Sequence, residues 1–141
     1  MKRWIRFTLT TLTAAVGLSA VAGGLALVIG AVTSSPSGGI VPDTTYLIGS
    51  PFASYLVPGV LLALVVGGTH ILAMLLVGRS APAGPFAGAV AGFGLLIWIF
   101  VQMMFVPFSV LQAVYFAAGL AELGLVLLGL GLFHRRELGV P

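Results

Sequence analysis

Four uninterrupted apolar windows divide the chain, at about residues 7–32, 53–78, 86–106 and 110–133, and the segments between them are rich in Gly, Pro and Ser. Each window holds the roughly 20 apolar residues that a helix needs to cross the hydrocarbon of a bilayer. None alternates polar and apolar positions over roughly 10 residues, as a membrane β-barrel strand would. The pattern predicts an all-α membrane protein, a four-transmembrane-helix up-down bundle forming a single domain over 1–141, with an external loop at 33–52. Local punctuation supports the divisions. Ser50-Pro51 and Gly84-Pro85 suit the starts of the second and third spans, where a proline loses no hydrogen bond. Pro107 closes the third span. Ser109 opens the fourth in "SVLQ", a capping box with Gln112 as the reciprocal partner. The loop carries Val41, Tyr46, Leu47, Ile48 and Phe52, which predicts that it rests on the bilayer interface.

Composition agrees with this reading and charge orients it. The chain is 60% hydrophobic and 6% charged, against roughly 25% charged residues in soluble domains. Lys2, Arg3 and Arg6 precede the first span, Arg79 follows the second, and Arg135 and Arg136 follow the fourth. Four crossings place all six on one side, which the positive-inside rule makes cytoplasmic. Both the N- and C-termini are then cytoplasmic, in a multi-pass protein of a bacterial plasma (cell) membrane, with Trp4 as an interfacial anchor. Six scattered charges form no phosphate-tracking stripe, so nucleic acid is not an expected partner. Membrane lipids are. "MKRWIR" followed by an apolar stretch and the Ala20-Val21-Ala22 triplet also resembles a signal peptide. The apolar run continues through "GGLALVIGAV", however, which predicts an uncleaved first span. There is no cysteine, so disulfide exchange, thiolate nucleophiles and cysteine metal sites are excluded.

The chain has 20 glycines, about double the usual ~7%. Gly84, Gly88 and Gly92 lie four apart, as do Gly59, Ala63 and Gly67. In lipid such small-residue faces let helices approach closely. They predict tight packing within one bundle or, alternatively, a homodimer or a membrane-protein partner held through the same faces.

Few polar side chains fall inside the spans, and they define the candidate chemistry. Glu122 lies 11 residues from Phe133, hence roughly 16 Å deep. An ionised, unpaired carboxylate there costs several kcal/mol, so such groups face inward and carry function by default. Tyr115, Gly119, Glu122, Val126 and Gly129 share one helical stripe by their 4-3-4-3 spacing. His70, 8 residues from Gly78 and roughly 12 Å deep, is the natural partner of Glu122. The competing reading makes Glu122 a protonated acid bonded to a neighbouring carbonyl. Gln102 and Trp98 share a face of the third span. With Tyr115 they are expected to line a pocket opening outward above Glu122. Gln112 is assigned to the cap and not to this site. One His and one Glu cannot complete a coordination shell, and His134 lies at the far end beside Arg135, so neither a metal nor another cofactor is expected.

"GSPFASYLVPGVLLALVVGG", "WIFVQ" and "LQAVYFAAGLAELGLVLLG" resemble an uncharacterised family of small four-span membrane proteins common in actinobacteria and other bacteria. The resemblance runs from about Gly49 to Gly131. It implies a fold and no activity. Small multidrug transporters are a weaker analogy, because they place their essential Glu in the first span. The residues favour a non-enzymatic bundle, an accessory protein or a binder of lipid or a small ligand. The alternative is a proton-coupled small-molecule transporter centred on Glu122 and His70. An enzyme is not expected, because no nucleophile or metal accompanies that pair.

Overall fold

The computed structural model describes residues 1–33 and 42–132; Val41, Phe133, His134, Arg135 and Arg136 lie outside the described residues. It contains four helices long and apolar enough to cross a membrane: α1 (Arg3–Thr33), α2 (Leu56–Gly78), α3 (Gly84–Met103) and α4 (Val110–Gly129). No strand occurs among the described residues. The all-α, four-span architecture expected from the apolar pattern is therefore present.

Large apolar side chains cover the outside, with Phe7, Phe86 and Phe100 each more than two-thirds exposed. In water such a surface would drive aggregation; in lipid it is the solvated face. The protein is a multi-pass membrane protein.

The helices form a ring in which each packs on its neighbour in sequence and α4 closes on α1. Across the diagonal, no Cα atom of α2 comes within 8 Å of one in α4. Small residues set these close neighbour distances. A Cβ added at Gly59 would stand 2.8 Å from the Gly24 carbonyl of α1, and one at Gly67 would stand 2.7 Å from Val21. Gly84 meets Val77 of α2, while Gly88 and Gly92 meet Val126 and Leu123 of α4. Both glycine faces are thus filled within the chain.

Helix starts follow local chemistry, with one departure. Ser109 and Gln112 form the capping box: the Ser109 amide donates to Gln112 Oε1 at 2.9 Å, and the Gln112 amide to Ser109 Oγ at 3.3 Å. Pro85 stands in the first turn of α3, and that helix ends at Met103, one turn before Pro107. Ser50-Pro51, however, does not begin the second span. Ser50 Oγ accepts the Phe52 amide at 3.2 Å in a local turn, and α2 begins at Leu56 with Pro58 in its first turn. Pro58, about two helical turns beyond Pro51, stands where a proline's missing N–H costs no helical hydrogen bond.

The middle of α2, Leu62–Gly67, is wound as a π-helix. Such wide turns concentrate at functional sites.

Met1 rests on Gly129, and the Arg6 guanidinium donates to the Ser80 hydroxyl. The start of α1, the α2–α3 turn and the end of α4 therefore share one end of the bundle, with Lys2, Arg3, Arg6 and Arg79. We call it the basic end. Asp43 and the described part of the long loop lie at the opposite end.

Candidate functional site

His70 and Glu122 are both completely buried, and they meet across the diagonal of the ring: His70 Nε2 lies 3.2 Å from Glu122 Oε2. Their helices do not touch as neighbours; the two side chains span the bundle axis. Depth explains the match. His70 precedes the end of α2 by 8 residues and Glu122 the end of α4 by 7, so both sit roughly 10–12 Å in from the basic end. Gly17 of α1 makes room for the ring, since a Cβ there would stand 3.1 Å from His70 Cβ.

The hydrogen bonds fix where protons sit. His70 Nδ1 is 2.7 Å from the Val66 carbonyl, which can only accept, so Nδ1 carries a hydrogen. Nε2 and Oε2 then need one proton between them. Either a protonated Glu122 donates to a neutral imidazole, or an imidazolium donates to a carboxylate. Both forms have zero net charge, which suits a low-dielectric interior. Glu122 Oε1 is buried and has no partner among the described residues. Its second oxygen therefore makes the pair incompletely satisfied, an uncommon state for a buried polar group.

Toward the loop end, the helices border a partly open cavity of about 340 Å³. Trp98, Gln102 and Tyr115 all line it. His70 and Glu122 do not. They lie beyond its inner wall, which includes Val66 and Leu95. The imidazole is four residues, about 6 Å along the helix, from Val66. Val66 belongs to both features: it lines the cavity, and its carbonyl holds His70. It also lies in the π-helical turn. The five candidate residues thus form two adjacent groups, a buried proton-sharing pair and a polar cavity above it.

Sequence reasoning missed one residue of this site. Gln112 lines the cavity, is only 4% exposed, and its Nε2 has no partner among the described residues. The capping box uses its oxygen alone. Because the Ser109 amide can only donate, Oε1 must face it and the NH₂ must face away. A glutamine in a capping box always has this spare end, and that was the available signal.

The described end of the loop reaches the cavity. Pro42 forms part of the cavity wall. The adjacent Asp43 accepts the Thr45 amide at 2.9 Å and caps a short 3₁₀ turn, Thr44–Leu47. That amide and then the Thr45 hydroxyl hold the Asp43 carboxyl below its ordinary value. Tyr55 donates its hydroxyl to the Asp43 carbonyl at 2.9 Å. Burial, then the nearby Asp43 charge and Tyr46, raise the Tyr55 phenol, so it stays a donor at neutral pH.

Among the described residues, no three His, Asp or Glu side chains come together as a metal site would require. Compared with protein-family models, with curated proteins and with solved structures, the chain finds no match in any of the three.

Proposed function

We propose that this protein is a non-enzymatic, small-ligand-binding bundle of the bacterial plasma membrane, with its basic end in the cytoplasm and its cavity facing the outer half of the bilayer. The orientation rests on Lys2, Arg3, Arg6 and Arg79 sharing one end. The cavity carries the functional reading. At the loop end Gly24 and Gly59 bring α1 and α2 into near backbone contact, yet beside them the four helices leave about 340 Å³ open, within the size range of small-ligand sites. In lipid, helix association depends on van der Waals packing. An open space lined by an unsatisfied amide works against that packing unless something fills it.

The test compares organic extracts of purified wild type and Gly23→Leu by mass spectrometry. Gly23 lines the cavity, and a Cβ added there meets Leu62 Cδ2 at an ordinary 3.6 Å, so a leucine enters the open space without displacing backbone. A small molecule retained by wild type and missing from Gly23→Leu is the expected result. Identical extracts would contradict the binding reading.

A second reading, a proton-coupled transporter, is favoured by the His70–Glu122 pair and its free Oε1. It requires proton flux into proteoliposomes that is abolished by Glu122→Gln. Flux that survives this substitution would eliminate it.

A further inference from the structure

We propose that the cavity ligand is an uncharged amphiphile whose polar end bears a hydrogen-bond acceptor oxygen, a ketone or ester carbonyl, and that Gln112 Nε2 is the donor that recognises it. This rests on the reading of the cavity as a binding site and specifies what enters it.

The donor inventory leads to this class. Gln112 Nε2 offers two N–H groups and has no partner among the described residues, although the residue is only 4% exposed. A buried donor left unmade costs its full desolvation, and in lipid no bulk water relieves it. Trp98 adds an indole N–H, which can only donate. Gln112 Oε1 already holds the Ser109 amide, and Ser109 Oγ holds the Gln112 amide. Ser19 donates its hydroxyl hydrogen to the Val16 carbonyl of its own helix. Gln102 and Tyr115 also line the cavity and bring donor and acceptor alike. The groups of the wall that can only donate are the Gln112 NH₂ and the Trp98 indole, and they select an acceptor on the ligand.

Charge and shape narrow the class further. Among the described residues, no Asp, Glu, Lys, Arg or His lines the cavity. An ionic ligand would enter without a counter-charge at membrane depth, which is costly. The inner wall is apolar, with Val66, Leu95 and Ile99 buried in one cluster and Leu62 packed on it. The amide lies at the start of α4, toward the loop end, and the aliphatic wall lies deeper. A carbonyl at one end of a short hydrocarbon satisfies both.

The test uses Trp98 as a reporter. Trp4→Phe removes the other tryptophan, which lies at the basic end on α1. In phosphatidylcholine nanodiscs, Trp98 emission is titrated with three bromine-bearing quenchers: 9-bromononan-2-one, 1-bromononane and 9-bromononylammonium. The ketone should quench saturably and at about five- to tenfold lower concentration than the alkane, the ratio expected for one hydrogen bond. The ammonium probe should be the weakest. Gln112→Met keeps the length of the side chain and removes every hydrogen-bond donor from it, at the loss of one capping bond to the Ser109 amide. It should erase the ketone preference while the helical circular dichroism stays unchanged. A preference that persists in Gln112→Met, or ammonium quenching that matches the ketone, would overturn the acceptor inference. Gly23→Leu tests the underlying reading separately. If it leaves saturable quenching by every probe intact, the cavity is not the binding site. Quenching by the alkane alone would leave a cavity that binds without recognising a carbonyl.

Discussion

Replacing His70 and Glu122 together should disturb the bundle less than replacing His70 alone. In His70→Leu, Glu122 loses the one side-chain partner it has among the described residues, and Oε1 already has none there. A fully buried carboxyl is left with both oxygens unsatisfied, at a cost of about 1–3 kcal/mol. In Glu122→Leu the loss is smaller. The imidazole keeps its 2.7 Å bond to the Val66 carbonyl, and only the Nε2 lone pair is left bare. About 1 kcal/mol is expected. In the double leucine variant both polar groups are gone, and the Val66 carbonyl still accepts the Thr69 hydroxyl at 3.1 Å. That variant should lie within about 1 kcal/mol of wild type, because well-packed apolar replacement of a buried pair is often neutral. The coupling energy is then about 1–3 kcal/mol, at or above the top of the range measured for membrane hydrogen bonds. Glu122→Gln serves as the control. Its amide donates to Nε2 as a protonated acid would, so its stability should stay within about 0.6 kcal/mol of wild type. Reversible unfolding in mixed detergent micelles, followed by tryptophan emission, gives all four values. A double variant destabilised by the sum of its single substitutions would refute the shared-proton geometry, since additivity means that the two groups do not interact.

Glycine substitutions should separate packed from open positions. Gly24→Ala places a methyl 2.5 Å from the Gly59 carbonyl and should cost about 1–3 kcal/mol in the same assay. Gly94→Ala and Gly124→Ala meet nothing within 4 Å and should be neutral or stabilise by about 0.5–1 kcal/mol. The cysteine-free chain also allows clean topology mapping. An introduced cysteine at Asp43 should react with an impermeant maleimide from outside the cell and one at Ser80 should not, and the reverse pattern would invert the proposed orientation. The loop turn should depend on acid. The Asp43 carboxyl is held below its usual 3.8 by bonds made only in the folded loop. Its contribution is therefore present above that pH and is lost as pH falls through the lower, folded value. The Thr45 amide resonance should titrate with a midpoint below 3.8, and a midpoint at or above it would contradict the cap.

The architecture was legible in the sequence because the bilayer imposes simple rules: length and apolarity alone mark a spanning helix. The pairing of His70 with Glu122 was legible only as a match in depth. Which helices face each other depends on inter-helix packing, and here the pair reaches across a diagonal that neighbour reasoning would not select. Ser50-Pro51 misled because the same dipeptide suits any turn, and Pro58, inside the apolar run, gave an equally good first-turn signal. The π-helical turn at Leu62–Gly67 left no periodic trace, since an apolar window facing lipid has little polar contrast from which to read a change of winding. Gln112 was set aside because its oxygen had an assigned role, although an amide has two ends.

The buried pair raises a question of cause that stability does not answer. If joint replacement by leucine costs little, burial energy is not the reason for keeping an acid and an imidazole at the bundle centre. Zero net charge makes the pair tolerable, and the same property constrains what it can do. Removing the shared proton without replacing it leaves Nε2 and Oε2 facing each other as two acceptors, with a bare negative charge at membrane depth. Adding a second proton leaves a bare positive one. Any proton exchange therefore needs a donor or acceptor delivered to the site at the same moment, and Glu122 Oε1 is the atom of the pair that no described residue engages. A ligand in the cavity can bias that exchange only by interacting differently with the two states. The structure offers one covalent route for such a difference, Val66, whose residue faces the cavity and whose carbonyl fixes the imidazole. Displacement of Val66 by a ligand would loosen the Nδ1 bond before it reached the Glu122 carboxyl, so the imidazole, rather than the acid, is the group through which occupancy of the cavity would first be felt.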